Sequence, residues 1–268
     1  MSSPPGQVLV AVAYDSGSRG NPALRGRTAA LAAAVADGAR AVGKTRVLDM
    51  RLGERDPDWA ALDGADAIIF GCPTYMGLGS GSARMKAFME QSLRPQFLER
   101  RWQDKLAAGF TNSAGMSGDK LCTLQQLAGF AAQHGMIWIP LGQLPGWQAS
   151  TGSPADPNRL ASFLGLMAQS NSDQGPDRAP PESDRRTGEL FGRRIALITR
   201  RWAARHETAQ LPTGRRSISV NDQGFRPGTI RWFRNPLRWW TFPAADLRHN
   251  IPYQVIPGVV RKILAVHA

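Results

Sequence analysis

The chain has 268 residues, enough for two domains of about 150 residues or for one domain with a large appendage. Hydrophobic residues make up 42% of it and charged residues 20%, which supports a buried core and excludes a wholly disordered, collagen-like or coiled-coil chain. Residues 1–189 carry 19 basic and 18 acidic side chains, whereas residues 190–268 carry 14 and 3. A nearly neutral domain is therefore followed by a basic region.

Cysteine usage and the start of the chain bear on where the protein works. Only Cys72 and Cys122 are present, which excludes a disulfide framework, and no cysteine and histidine have the spacing of a zinc site. Residues 1–6 lack the basic and apolar parts of a signal peptide, and no uncharged apolar run approaches the ~18 residues of a membrane span. We therefore expect a soluble, cytoplasmic protein without a bound metal.

Short apolar runs alternate with helical patterns through the first half of the chain. Helical patterns occupy residues 28–42, which are rich in alanine and leucine, and residues 85–89 and 121–131, where apolar side chains recur at helical spacing. The predicted strands are residues 8–13, 46–49, 67–71, 106–110 and 136–139. Because parallel neighbours need crossover connections, this order predicts an α/β fold with a doubly wound, five-stranded parallel sheet.

The second half is less regular. The spacing of Leu160, Phe163, Leu164 and Met167 predicts a short amphipathic helix. Residues 170–187 are rich in proline, serine, aspartate and glycine and are predicted to be a linker, after which residues 190–202 return to helical spacing. The predicted domains are residues 1–206 and a basic, tryptophan-rich C-terminal extension, residues 207–268.

Three polar, glycine-rich loops leave the carboxyl ends of predicted strands. Residues 16–21 combine hydroxyls and glycine amides with a helix N-terminus, a combination that suits a phosphate group but also occurs in simple turns. Residues 73–81 offer backbone amides and the side chains of Tyr75 and Met76 to a planar ligand, and residues 111–118 supply further hydroxyls and amides. In open α/β sheets ligands bind at this edge, so the three loops together predict the binding site.

At this point residues 7–206 resemble a known family. Residues 66–77, 80–91, 105–115 and 134–140 match, in order and spacing, the flavodoxin-like NAD(P)H:quinone oxidoreductases of the WrbA type and the related NADPH-dependent FMN reductases. The resemblance implies a flavodoxin-like fold, an FMN cofactor and NAD(P)H as electron donor. This sequence departs from the family in two places. Its first loop is about five residues longer between Ser16 and Thr28, and it has an extension after His206.

The resemblance also implies roles for individual residues. Ser16 and Thr28 hold the FMN phosphate, and the longer loop leaves open whether Ser18, Arg19 and Gly20 or Arg27 complete that site. His134 is assigned to the substrate pocket as a catalytic residue, and Phe97 to a position over a neighbouring subunit's flavin. The remaining residues lie along the two sides of the flavin ring: Pro73, Thr74, Tyr75, Met76 and Gly77 on one, and Thr111, Asn112, Ser113, Ala114 and Gly115 on the other.

The expected function is that of an FMN-dependent oxidoreductase that passes electrons from NAD(P)H to a quinone or similar aromatic acceptor. The alternative is a flavodoxin-like electron carrier or docking module without nicotinamide activity of its own; a flavin-free regulatory protein is the weakest reading. The resemblance implies a homo-oligomer, a dimer or a tetramer. We expect the extension to pack on its own chain or on a sister subunit; contact with a membrane surface stays open, and nucleic acid is not an expected partner. Nothing in the sequence separates NADH from NADPH.

Overall fold

The computed structural model describes residues 6–17, 26–75 and 82–208, with side chains as far as Arg205. It confirms the predicted parallel α/β fold. The predicted site residues Ser18, Arg19, Gly20, Met76 and Gly77 lie outside the described residues, as does the predicted extension from residue 209 onward. The elements are β1 (Val8–Tyr14), α1 (Arg27–Arg40), β2 (Thr45–Arg51), α2 (Trp59–Asp63), β3 (Ala67–Pro73), α3 (Ala83–Gln91), β4 (Leu106–Ser113), α4 (Lys120–Gln133), β5 (Ile137–Trp138), β6 (Leu166–Gln169) and α5 (Glu182–Thr208).

The strands form one parallel sheet in the order β2-β1-β3-β4-β5, with β6 also paired to β4. Two short strands share the fifth position, because Leu106 and Ala107 of β4 pair with β5 whereas residues 110–113 of β4 pair with β6. Residues 139–165 are thus an insertion into the fifth strand. β1 and β3 are buried along nearly their whole length, which explains why their sequences are continuous apolar runs.

The helix predicted from Leu160 to Met167 is wrong. Residues 160–165 are irregular, and the chain then enters β6, in which Leu166 and Ala168 are buried while Met167 and Gln169 are half-buried. The last four residues of β4 would lack a partner on that side without β6, so pairing with them outweighs the local helical spacing.

The predicted linker also contains regular structure. Helix α5 begins at Glu182, inside residues 170–187, and continues through the predicted helical residues 190–202. Its first turn holds Glu182 and Asp184, acidic side chains that the helix dipole favours at an N-terminus. Proline and aspartate therefore mark the start of this helix rather than the end of a domain.

Helices cover both faces of the sheet. Helices α1 and α5 pack together over one face, and α2, α3 and α4 pack on the other around an aromatic core that includes Phe70, Phe88 and Trp102. Two glycines allow α1 and α5 to approach closely. A Cβ at Gly38 would lie 1.9 Å from the carbonyl oxygen of Glu189, and a Cβ at Gly192 would lie 1.8 Å from that of Val35.

The strand order of the sheet reverses direction between β1 and β3. β1 has β2 on one side and β3 on the other, and the helices that follow β1 and β3 lie on opposite faces. Between β1 and β3 the connections diverge, which opens a crevice at the edge where the strands end. We call this edge, with the loops that follow Tyr14, Pro73, Ser113 and Gln169, the carboxyl edge, and the opposite one the amino edge.

Candidate functional site

The first loop of the carboxyl edge is tied to the N-terminus of α1. The hydroxyl oxygen of Ser16 accepts a hydrogen bond of 2.9 Å from the backbone N–H of Ala29, although Gly26 precedes the helix and gives it no side-chain cap. Thr28 is buried beside it. A serine that accepts from an amide keeps its own proton to donate, so the hydroxyls and helix amides at this end of α1 are the kind of donors that an anion such as phosphate requires.

Tyr75 links the second loop to the first. Gly17 has a positive φ of 61°, its N–H donates to the carboxylate of Asp15, and a Cβ there would lie 2.1 Å from the Tyr75 hydroxyl oxygen. Asp15 is buried and lies 3.6 Å from the guanidinium of Arg84 in α3. Burial, and secondarily the charge of Asp15, raise the pKa of Tyr75. Tyr75 therefore stays uncharged and packs between the two loops.

The threonines of the second and third loops hold the ends of β3 and β4 together. The Thr74 hydroxyl lies 2.8 Å from that of Thr111 and 2.7 Å from that of Thr123 in α4. The backbone N–H of Thr74 donates to the carbonyl of Asn112, next to the paired residue Pro73. These hydrogen bonds fix the backbone of both loops where the two strands end.

The third loop rests on a buried lysine at the start of α4. Lys120 has no exposed surface, and its ammonium donates to the Ser113 hydroxyl (2.9 Å) and to the carbonyl of Gly115 (2.5 Å). Burial lowers the pKa of Lys120 to about 8. Ala114 and Gly115 themselves are exposed, so Lys120 holds a loop whose outer side faces solvent.

A fourth loop, which the sequence had assigned to a linker, completes the carboxyl edge. Ser170 donates its hydroxyl to the buried side chain of Asn112, and Gln169 donates to the carbonyl of Ala114. Arg27, at the first position of α1, donates to the carbonyl of Asn171. No local signal in the sequence marks this loop, because β6 is determined by its pairing with β4, a strand distant in the chain.

His134 does not join these residues. It follows α4, whose 14 residues span about 20 Å from Lys120 to the amino edge, and Gly135 next to it pairs with Asp104 just before β4. Within one chain the predicted catalytic residue is therefore at the opposite edge from the predicted cofactor loops. Its assignment to the substrate pocket is not supported in a single copy of the chain.

The surroundings of His134 fix its protonation. Ser92 donates its hydroxyl to the carbonyl of Met89, so its oxygen accepts from His134 Nε2–H at 3.0 Å. His134 Nδ1 is buried without a hydrogen-bond partner among the described residues, and burial lowers the pKa of the imidazole to about 4. The ring is therefore neutral at pH 7.

His134 also lines a groove with a volume of about 530 Å³ between α3 and α4. Phe97 lines it as well, in edge-to-face contact with His134 at a centroid distance of 5.7 Å. Leu93, beside them, is half exposed. His134, which the resemblance assigned to the substrate pocket, and Phe97, which it assigned to a neighbouring subunit's flavin, are thus neighbours on a partly apolar groove apart from the carboxyl edge.

Cys72 belongs to the core. It has no exposed surface, and burial raises the pKa of its thiol to about 12, so the thiolate needed for redox chemistry is disfavoured. Within residues 6–17, 26–75 and 82–208, no three histidine, cysteine or carboxylate side chains are placed to share a metal ion. No helix in that same part of the chain combines the length and apolar character that a bilayer crossing requires.

The carboxyl edge thus brings together Ser16, Thr28, Pro73, Thr74, Tyr75 and residues 111–115, at the crevice of a flavodoxin-like sheet. The sequence profile of the NADPH-dependent FMN reductases matches residues 59–149. Flavodoxin FldP of Pseudomonas aeruginosa (strain UCBPP-PA14) is 40% identical over 173 residues, which cover 65% of this chain and 90% of that protein. This chain belongs to the flavodoxin-like family of FMN reductases and WrbA-type proteins.

Two further relatives show the range of the family. An NAD(P)H dehydrogenase (quinone) of Archaeoglobus fulgidus is 28% identical over 198 residues, which cover 65% of this chain and 92% of that one. The crystal structure of a flavodoxin, WrbA-like protein from Agrobacterium tumefaciens superimposes with a TM-score of 0.54 at 35% identity, and the match covers 73% of this chain and 99% of that one. The flavodoxin-like resemblance drawn from the sequence is confirmed.

Proposed function

We propose that this protein is an FMN-dependent oxidoreductase that takes electrons from NAD(P)H and passes them to a quinone or similar aromatic acceptor. The observation that carries the proposal is the hydrogen bond between Ser16 and the N-terminus of α1, at the crevice between β1 and β3. The loops beside this hydrogen bond are held in place by Thr74, Thr111 and Lys120. The family also includes proteins named for NAD(P)H and quinone.

The described residues fit FMN. The Ser16 and Thr28 hydroxyls and the amides of α1 would hold its phosphate, and Gly17 has a backbone conformation and a close neighbour in Tyr75 that leave no room for a side chain. Residues 73–75 and 111–115 would flank the ring. Bound FMN supplies hydride acceptance and electron return, while the protein orients the ring and offers it amide and hydroxyl donors.

Purified protein tests this directly. It should be yellow, or turn yellow with added FMN, and should oxidise NADPH or NADH when benzoquinone is present. A single open face used by donor and acceptor in turn predicts ping-pong kinetics. Colourless protein that cannot be reconstituted with FMN would refute the proposal.

The second candidate function is that of an electron carrier without nicotinamide activity. It is favoured by the 40% identity to a protein named flavodoxin. Stopped-flow mixing of the FMN-loaded protein with NADPH under nitrogen separates the two functions. Rapid bleaching of the flavin indicates the reductase, and unchanged absorbance with both NADPH and NADH indicates the carrier.

We further propose that His134 acts across an interface between two copies of the chain. Since His134 and Phe97 lie at the amino edge, they reach a flavin only if a second copy brings its carboxyl edge to the groove between α3 and α4. His134→Ala should then keep bound FMN but lower turnover with quinone. Equal kinetic constants for variant and parent, or a monomer by light scattering, would return His134 to a purely structural role.

For residues 207–268 we propose an arm that packs on its own chain or on a sister subunit of a cytoplasmic protein. The sequence there combines nine basic residues with three acidic ones and holds a dense group of tryptophans. Tryptophans exposed to water would make the protein prone to aggregation, so we expect another protein surface to cover them. Truncation after His206 should change oligomeric state or lower the melting temperature while FMN binding persists. An unchanged truncated protein that binds anionic vesicles less well would instead identify a membrane tether.

A further inference from the structure

Lys120 occupies a place that is unfavourable for a cation. It is the first residue of α4, where the partial positive charge of the helix dipole opposes an ammonium group, and its side chain has no exposed surface. Its two hydrogen bonds go to neutral groups, the Ser113 hydroxyl and the Gly115 carbonyl. A charge buried in this way needs an anion to offset the loss of water.

The charged groups around Lys120 leave it without a carboxylate of its own. The nearest buried acid is Asp184 of α5, which Arg159 already engages through two hydrogen bonds of 2.7 and 3.0 Å. Asp119, the preceding residue, is exposed. With Lys120 protonated, the buried group of Lys120, Arg159 and Asp184 carries one net positive charge beneath the loop of residues 113–115.

We propose that Lys120 is a positioning residue for the flavin, which holds the loop of residues 113–115 and supplies a positive charge that favours reduced over oxidised FMN. This inference rests on the proposed function, which places that loop along the flavin ring. Reduced FMN carries a negative charge on its ring, and Lys120, whose hydrogen bonds go to neutral groups, places a positive charge beneath the loop of residues 113–115. Attraction between Lys120 and the anionic reduced ring then offsets part of the free-energy cost of burying the ammonium.

Lys105 provides a matched control at the other edge. It is half-buried, burial lowers its pKa as well, and its ammonium donates to two backbone carbonyls, those of Asp63 and Ala65. Lys105 precedes β4, so it lies at the amino edge, away from the candidate flavin loops. Replacing either lysine by methionine removes one positive charge and two hydrogen bonds, but only Lys120 contacts a loop that the proposed function assigns to the flavin.

The test is the midpoint potential of bound FMN in the parent, Lys120→Met, Lys120→Arg and Lys105→Met. In Lys120→Met, the affinity for reduced FMN relative to oxidised FMN should fall about tenfold, which is a two-electron potential lower by about 30 mV. Lys120→Arg should keep most of the parent's preference, and Lys105→Met should match the parent. Equal potentials in Lys120→Met and Lys105→Met overturn the inference, whereas absence of FMN binding in the parent overturns the proposed function.

A second measurement needs no variant and decides the matter if Lys120→Met does not fold. The potential of bound FMN minus that of free FMN is compared at pH 7 and pH 9.5 in the parent. Deprotonation of Lys120, whose pKa burial lowers to about 8, should make this difference more negative at the higher pH. A difference that is the same at both pH values contradicts the inference.

Discussion

The two edges of the sheet are built from different chemistry. At the carboxyl edge, hydroxyls and glycine backbone lie at the crevice between β1 and β3, and Lys120, Arg159 and Asp184 form a buried group of charges beneath the loop that follows β4. At the amino edge, His134 is held neutral among Phe97, Trp102 and Phe130, and Asp63 accepts from Trp102 and Arg101. The carboxyl edge combines hydroxyls with buried charges, whereas the amino edge holds a cluster of aromatic rings of which Phe97 is the exposed member.

The difference shows how one scaffold separates ligand binding from packing. Helix α4 connects the edges, with Lys120 at its start and His134 just beyond its end. Both are buried titratable side chains whose pKa values are lowered by burial. Only Lys120 contacts a loop that is exposed to solvent on its other side, so only there can the buried charge act on a bound molecule without a second copy of the chain.

The largest expected effect is on stability at the carboxyl edge. Asp184→Asn leaves the guanidinium of Arg159 buried without a counter-charge, since the two side chains are only 2% and 7% exposed. Removing one partner of such a pair costs about 3–5 kcal/mol. Urea denaturation of both proteins at pH 7 measures this as a fall in the free energy of unfolding.

Asp63→Asn gives the matching change at the amino edge. Asp63 pairs with Arg101, which is 42% exposed, and asparagine keeps an acceptor for the indole N–H of Trp102. The expected loss is much smaller than that of Asp184→Asn, because water screens an ion pair with an exposed partner. Equal losses in the two variants would show that the ion pair at the carboxyl edge is no more dependent on its charges than the pair at the amino edge.

The next effect concerns the phosphate site. Ser16→Ala combined with Thr28→Val removes two hydroxyl donors to a charged group, which should cost on the order of 3 kcal/mol of FMN affinity, about a hundredfold in Kd. Fluorescence titration with FMN measures the loss. An unchanged Kd would show that residues 18–27 hold the phosphate instead of these two hydroxyls.

The sequence predicts the fold where local and tertiary preferences agree. Residues 8–13 and 67–71 are apolar because both faces of the sheet are covered, and α4 shows its buried face at helical spacing. The prediction for residues 160–167 is wrong because their apolar spacing is compatible with a helix. The unpaired hydrogen-bonding groups at the end of β4 instead draw the end of this segment into a strand. Pairing with a distant strand leaves no trace in local periodicity.

The site is predictable in the same partial way. Glycine and hydroxyl residues after strands reveal the first three loops, since parallel strands bring such loops to one edge. Lys120, Arg159 and Asp184 were missed because they come from α4, the insertion and α5, and only the fold brings them together. His134 was placed with the other site residues by resemblance, which says nothing about the edge of the sheet on which it lies within one chain.

A third prediction tests the helix pair that supports both edges. Gly192→Ala would place a Cβ 1.8 Å from the Val35 carbonyl oxygen, so α1 and α5 must separate, at a cost of about 2 kcal/mol. Gly129→Ala in α4 meets nothing within 4 Å and should stabilise the protein by about 0.5–1 kcal/mol. Melting temperatures should therefore move in opposite directions, and a drop of equal size in both would contradict the close packing of α1 on α5.

The last prediction is a pH dependence of stability that comes from the amino edge. Burial lowers the pKa of His134 from 6.5 to about 4, so between these values the unfolded chain binds more protons than the folded one. The contribution of His134 is therefore fully present above pH 6.5 and is lost as the pH falls toward 4.

Because His134 lines a groove, this contribution should be on the order of 2 kcal/mol, below the full 1.36 kcal/mol per pKa unit. His134→Gln, which can still donate to Ser92, removes the titration. Urea denaturation of parent and variant at pH 7 and pH 4.5 should show the parent losing more stability than the variant. A difference between the two proteins that is the same at both pH values would mean that the imidazole is not held neutral by burial.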